Sequence, residues 1–206
     1  MLLWVGLALI AVGVASFAID RQAAHFFHAA IPKSFDRLLH ATTDWAKGGL
    51  WLIAAALAFV VSRVVQWRLG PSPDMERLER VSFAFLVSLA AASIVLHSIK
   101  IVLGRRRPRD ELELNLYGFR PFTWDLRKDS FPSGHALTIT CVAVVMSGVA
   151  PEWAPLCFAG AAWLALTRAL LNSHYLSDVF AGAGIALIVT REVLLLFFPD
   201  LTRPWF

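Results

Sequence analysis

Long apolar runs separated by short polar stretches dominate the chain. Six of them approach the roughly 20 mostly apolar residues that a helix needs to cross the hydrocarbon core of a bilayer. They cover residues 1–19, 48–67, 81–99, 132–150, 153–171 and 175–198. The first run has no charge, the second only Arg63, the third only His97, the fourth only His135 and the fifth only Arg168. The sixth holds Asp178 near one end and Arg191-Glu192 near the other. Residues 20–47 follow a different rule. There Phe26, Phe27, Ile31, Phe35, Leu38 and Leu39 recur partly at helical intervals among charges, which predicts an amphipathic helix lying in the interface. Residues 70–76, GPSPDME, read as a turn-rich connection. The pattern therefore predicts an all-α, polytopic membrane helix bundle. It has six transmembrane helices plus one interfacial amphipathic helix, in a single domain over 1–206.

Composition strengthens this reading. The 206 residues are 58% hydrophobic and 17% charged, with a mean hydropathy of +0.63, too apolar for an ordinary soluble domain. Trp4, Trp51, Trp67 and Trp153 fall near run ends, where an amphipathic ring prefers the interface, although rings of this kind also pack between helices. No Lys or Arg precedes the first run, and the run is long for a signal core, so a retained first span is expected despite Ser16-Phe17-Ala18. Cys141 and Cys157 lie in separate runs and read as small core residues. His25 and His28 stand three apart without a third ligand, so a solvated face is expected there and no metal.

Charge adds the chemistry. Eight of the 19 Lys and Arg residues lie between Lys100 and Lys128, interrupted by Asp110, Glu111, Glu113 and Asp125. Such a cluster suits a stop-transfer flank or lipid headgroups, and equally a phosphate site. Nucleic acid is not expected, because the cluster sits between two spans without a reader module. Lys100 and Arg107 are two helical turns apart, and Pro108 predicts a helix end at Arg107. In DSFPSGHALT (129–138), Pro132 fits a helix start, and Ser133, Gly134 and His135 would offer unpaired amides to an anion. Ser133 as a plain cap and His135 as a surface ring fit equally well. In TRALLNSHYLSD (167–178), His174 and Asp178 are four apart and would share a helix face. The carboxylate would then hold one ring nitrogen and free the other, or the pair would simply tie helices together. Six spans place 100–135 and 168–178 on the same side of the bilayer. That convergence of cations, a helix start and two histidines favours a site.

At these residues the chain resembles the type 2 phosphatidic acid phosphatase superfamily of membrane phosphatases. The family pattern of Lys, six residues, Arg-Pro reads here as Lys100-IVLGRR-Arg107-Pro108. Its Pro-Ser-Gly-His motif is Pro132-Ser133-Gly134-His135, and its third motif is Thr167-Arg168-ALLNS-His174-YLS-Asp178, with Thr167 for the usual Ser. The motif-bearing core is 100–178. The resemblance implies metal-independent phosphate release without a cofactor, through a phosphohistidine on His174. Asp178 would orient the ring, and His135 would protonate the leaving oxygen. Lys100, Arg107, Arg168 and the backbone at Ser133-Gly134 would hold the phosphoryl oxygens. The implied partners are the bilayer and a membrane lipid phosphate: phosphatidic acid, phosphatidylglycerophosphate, undecaprenyl diphosphate or lipid A. Tyr117, Phe119, Phe122 and Trp124 would bury the connecting loop or touch the lipid. The implied location is the bacterial inner membrane with the site on the extracytoplasmic face, although counting Lys and Arg alone would put it in the cytoplasm. A vanadium-dependent haloperoxidase shares the motifs but is larger and soluble. A non-catalytic lipid-binding or transport protein is the other alternative; a transport site is expected near midplane, whereas these charges sit at run ends.

Overall fold

The computed structural model describes residues 1–122 and 129–206. Among these the chain is helical, with a lone antiparallel bridge between Arg105 and Phe119 as its extended pairing. The helices are α1 (Leu2–Ser16), α2 (Asp20–Ala30), α3 (Lys33–Thr43), α4 (Gly48–Leu69), α5 (Pro73–Leu103), α6 (Pro108–Leu114), α7 (Gly134–Val149), α8 (Ala154–Leu170) and α9 (Leu176–Phe197).

Each predicted apolar run folds as a helix, but their lengths differ from the expectation. Among the described residues four stretches are long and apolar enough to cross a membrane, Lys33–Leu69, Pro73–Leu103, Pro151–Leu170 and Leu176–Phe197, and the bent pair Leu2–Ser16 and Asp20–Ala30 would make a fifth. The first run gives only the 15 residues of α1 before the chain bends by 83° into α2. The fourth gives the 16 residues of α7, about 24 Å at 1.5 Å per residue against roughly 30 Å of hydrocarbon. α7 does not have to match lipid by itself, because its neighbours bury it along nearly its whole length. In the other direction α5 starts earlier than its run. Ser72 caps it by accepting the Met75 amide at 3.4 Å and Pro73 fills its first position, so most of the predicted 70–76 connection is helix.

The expected interfacial helix over 20–47 is two helices. Pro32 holds Ile31 extended (φ −80°, ψ 115°), which ends α2 and opens α3. Both carry one apolar face and one charged face, and each fastens to the bundle by polar contacts. Arg21 pairs with the buried Glu111 of α6 at 2.5 Å, and Thr43 meets α8.

The core lies where α5, α7 and α9 meet, with α1 laid against α9. Small residues allow that last contact. A Cβ on Gly184 would lie 2.7 Å from the Gly6 carbonyl oxygen, so the two backbones nearly touch. Close approach through small residues is how helices gain packing where lipid removes the hydrophobic drive between them. α4 buries little beyond Ser62 and turns its apolar surface outward. At the end away from the motifs, Arg80 binds Asp200 and Arg63 pairs with Glu79.

Candidate active site

The site begins where α5 stops. Gly104 takes the left-handed conformation (φ 56°) and returns its amide to the Lys100 carbonyl at 2.8 Å, a helix stop that favours glycine. The helix therefore ends before Arg107, not at it. Lys100 and Arg107 belong to one site because the chain turns back, not because they share a helix face. Lys100 is buried at the end of α5 and donates to the Asp129 carbonyl at 2.7 Å. Arg107 precedes Pro108 at the start of α6, and its burial holds its guanidinium below the usual arginine range.

The returning loop is pinned to this turn. Gly104 accepts from the Arg120 amide at 2.7 Å, and Arg105 accepts from the Ser130 amide at 2.7 Å. Tyr117 packs against Tyr175, and Phe119 touches Phe17 while staying about half exposed. Phe122 is exposed. Trp124, Asp125, Arg127 and Lys128 lie outside the described residues.

α7 starts at Gly134, with Ser133 as its cap and Pro132 one residue earlier, after a cis peptide bond from Phe131. Ser133 is extended (φ −76°, ψ 117°), so its hydroxyl can accept the Ala136 amide at 3.4 Å. Its own amide is spoken for, since it donates to the Asp178 carbonyl at 2.9 Å. That contact needs Gly182, where a Cβ would stand 2.4 Å from the Ser133 carbonyl oxygen. The amides of Gly134 and His135 thus remain to open the positive end of the helix.

The third motif folds as α8, a tight loop and the start of α9. The amides of Ser173 and His174 both donate to the Arg168 carbonyl, at 3.0 and 3.1 Å. Thr167 is buried and its hydroxyl reaches Thr43 at 2.9 Å, while Arg168 reaches the same Thr43 at 3.1 Å. The hydroxyl kept by Thr167 therefore anchors α3 beside Arg168. His174 does not lie on α9; it precedes the cap residue Tyr175. Its Nδ1 is 2.8 Å from the Ser130 carbonyl and 3.6 Å from the Asp178 carboxylate. The carbonyl can only accept, so Nδ1 carries the proton and Nε2 keeps its lone pair. Burial pushes the imidazole down to about 4 from its ordinary 6.5; Asp178 opposes this, and Arg107 and Lys100 add to it. The ring is neutral at neutral pH.

Asp178 is fully buried and heavily engaged. It accepts from the Tyr175 amide at 2.7 Å, from the Ser130 hydroxyl and from Arg105 Nη1 at 2.5 Å. Arg105, Asp20, Ser130 and Thr43 are site residues that the motifs did not identify. Arg105 stood undistinguished in a run of three arginines, and Asp20 was only the first charge after an apolar run.

Lys100, Arg107, Ser133, Gly134, His135, Arg168, His174 and Asp178 thus gather at one end of the bundle, with His135 facing Arg168, His174 and Arg107. A sequence model of the PAP2 superfamily matches residues 82–201, more than half of the chain. The chain belongs to the PAP2 superfamily. Among curated PAP2-type relatives, lipid A 1-phosphatases of Rhizobium etli and Rhizobium johnstonii are each 32% identical over 91 residues, 44% of this chain. The matched stretch spans only 39% and 37% of those proteins. The fold is shared with the first transmembrane PAP2 type phosphatidylglycerolphosphate phosphatase from Bacillus subtilis. The TM-score to that crystal structure is 0.62 at 16% identity, covering 98% of this chain and 96% of that one.

Proposed function

We propose that the protein hydrolyses a lipid phosphate monoester or diphosphate at the membrane surface, through a phosphohistidine on His174 and without a metal ion. The observation that carries this is the state of His174: a buried, neutral ring with Nδ1 held by a carbonyl, facing Lys100 and Arg107, its amide on the Arg168 carbonyl. A neutral imidazole fixed in one tautomer is a nucleophile ready to act. Phosphoryl transfer otherwise needs positioning and preorganised positive charge, which the three cations and the start of α7 supply.

In the first step the Nε2 lone pair forms a bond to phosphorus and the bond to the leaving oxygen breaks. His135, at the opening of α7, gives that oxygen a proton. In the second step His135 takes a proton from water as the water oxygen attacks phosphorus. The P–N bond then breaks, returning neutral His174 and inorganic phosphate. Placement at the end of apolar helices leaves the lipid tail in the bilayer. The relatives suggest lipid A and phosphatidylglycerophosphate as the first substrates to try, on the extracytoplasmic face of a bacterial inner membrane.

The test is phosphate release by purified protein from a panel of lipid phosphates in detergent. Release should continue in excess chelator, and His174→Ala should abolish it. Activity in that variant would remove His174 as nucleophile, and strong inhibition by chelator would overturn metal independence.

A further inference from the structure

Arg105 poses a problem for the chemistry above. It is completely buried, and it holds Asp178, whose carboxylate stands 3.6 Å from His174, at 2.5 Å. A guanidinium bound to that carboxylate cancels its charge and would leave His174 little negative field. The ring acquires positive character when Nε2 bonds to phosphorus, so that field matters most in the transition state.

The answer lies on the other side of Arg105. Its second terminal nitrogen donates to Asp20 at 2.7 Å, and Asp20 is also buried. Asp20 comes from the first position of α2, delivered by the 83° bend after α1. It also accepts the amide of Ser177 at 3.1 Å and the Ser177 hydroxyl at 2.5 Å, which fastens the first turn of α9. The ring centroids of Phe17 and Tyr175 lie 4.4 and 4.1 Å from the Arg105 guanidinium carbon, so aromatic faces replace water around the cation. Two carboxylates share one guanidinium. The cluster therefore keeps a formal charge of about −1 beside His174, where a simple Arg–Asp pair would have none.

We propose that Asp20 and Arg105 are positioning residues for the reaction, Asp20 preserving the negative charge that Arg105 would otherwise remove from Asp178, and both fixing the turn that carries it. The interfacial helix α2 is on this reading part of the nucleophile's support. The inference rests on the proposed phosphohistidine chemistry.

The test is a charge-balance series in the full-length protein. Asp20→Asn keeps the shape and a carbonyl acceptor but leaves the cluster neutral. It should lower kcat about tenfold or more and leave KM for the lipid phosphate unchanged. It should also move the His174 titration, followed by ring 15N shifts, further below about 4. The other charges facing that ring, Asp178, Lys100, Arg107 and His135, are unaltered in the series. Asp20→Asn combined with Arg105→Gln leaves Asp178 alone, restores the charge of −1, and should recover the titration and most of kcat. A purely structural role would lower thermal stability in both variants without moving the titration. The inference is overturned if folded Asp20→Asn matches wild type in kcat and titration. It is also overturned if the folded double variant is no better than the single one. Where the single variant does not fold, the double variant decides alone, by its recovery or failure to recover. Should wild type release no phosphate from any lipid, the function proposed above fails, while the 15N titrations still decide the charge balance.

Discussion

At the scale of single residues, His174 shows how burial and one hydrogen bond set reactivity. Its ring loses water, faces Lys100 and Arg107, and gains only part of Asp178's attention at 3.6 Å. These effects favour the neutral form, which is the nucleophilic one. The sign follows directly. The ring is neutral above its folded pKa and takes a proton only as pH falls through about 4, whereas the unfolded chain does so near 6.5. Ring 15N shifts of the detergent-solubilised protein should therefore show His174 still neutral at pH 5.5. The linked contribution to stability is fully present above about 6.5 and declines as pH falls toward 4. Titration of His174 near 6.5 would contradict the buried geometry.

At the scale of elements, the site depends on how closely helices approach. Ser133 and Asp178 meet backbone to backbone only because position 182 has no side chain. Gly182→Ala must separate the start of α7 from the first turn of α9. The expected cost is about 1–3 kcal/mol of stability, together with a sharp loss of phosphate release, because Asp178 and Ser133 move with the turn. Gly160→Ala in α8 is the control, since nothing lies within 4 Å of its Cβ. Alanine's better helix propensity, up to about 1 kcal/mol, should make that variant neutral or slightly more stable with full activity. Thermal unfolding in detergent beside phosphate release separates the two. α3 contributes at the same scale: Thr43 accepts from both Thr167 and Arg168, so an outer amphipathic helix holds a proposed phosphate-binding cation in place.

At the scale of the whole molecule, the motifs share one end of the bundle, and the proposed extracytoplasmic site fixes which way the bundle points. Lys33, at the start of α3, is exposed on the site end, and Arg68, at the end of α4, is exposed on the opposite one. In a background with Cys157→Ser, which leaves only the buried Cys141, an impermeant thiol reagent should label Lys33→Cys on intact cells. Arg68→Cys should react only after lysis. The reverse pattern would place the site in the cytoplasm and restore the orientation suggested by counting basic residues. Three of the eight cations over 100–128, Lys100, Arg105 and Arg107, lie within the candidate site and its supports, so a count of basic residues there mixes chemistry with orientation.

By itself the sequence determined that the chain is an all-α membrane bundle, because unbroken apolar runs leave the backbone no other way to satisfy its hydrogen bonds in lipid. It also pointed to the family, because three motifs of Lys, Arg, Ser-Gly-His and His–Asp carry the resemblance in residue type and spacing. Those are local properties, legible one stretch at a time. The tertiary structure alone decided which of three adjacent arginines is buried against Asp178, since side chains at 105, 106 and 107 differ only in the direction the turn at Gly104 sends them. It decided that the carbonyl of Ser130 holds His174, and that residues 20–47 form two docked helices whose ends, Asp20 and Thr43, reach the site. These contacts join positions 44, 85 and 125 residues apart. No pattern of periodicity reports such pairings; burial does, because a charge or polar group without water must find whatever partner the fold brings to it.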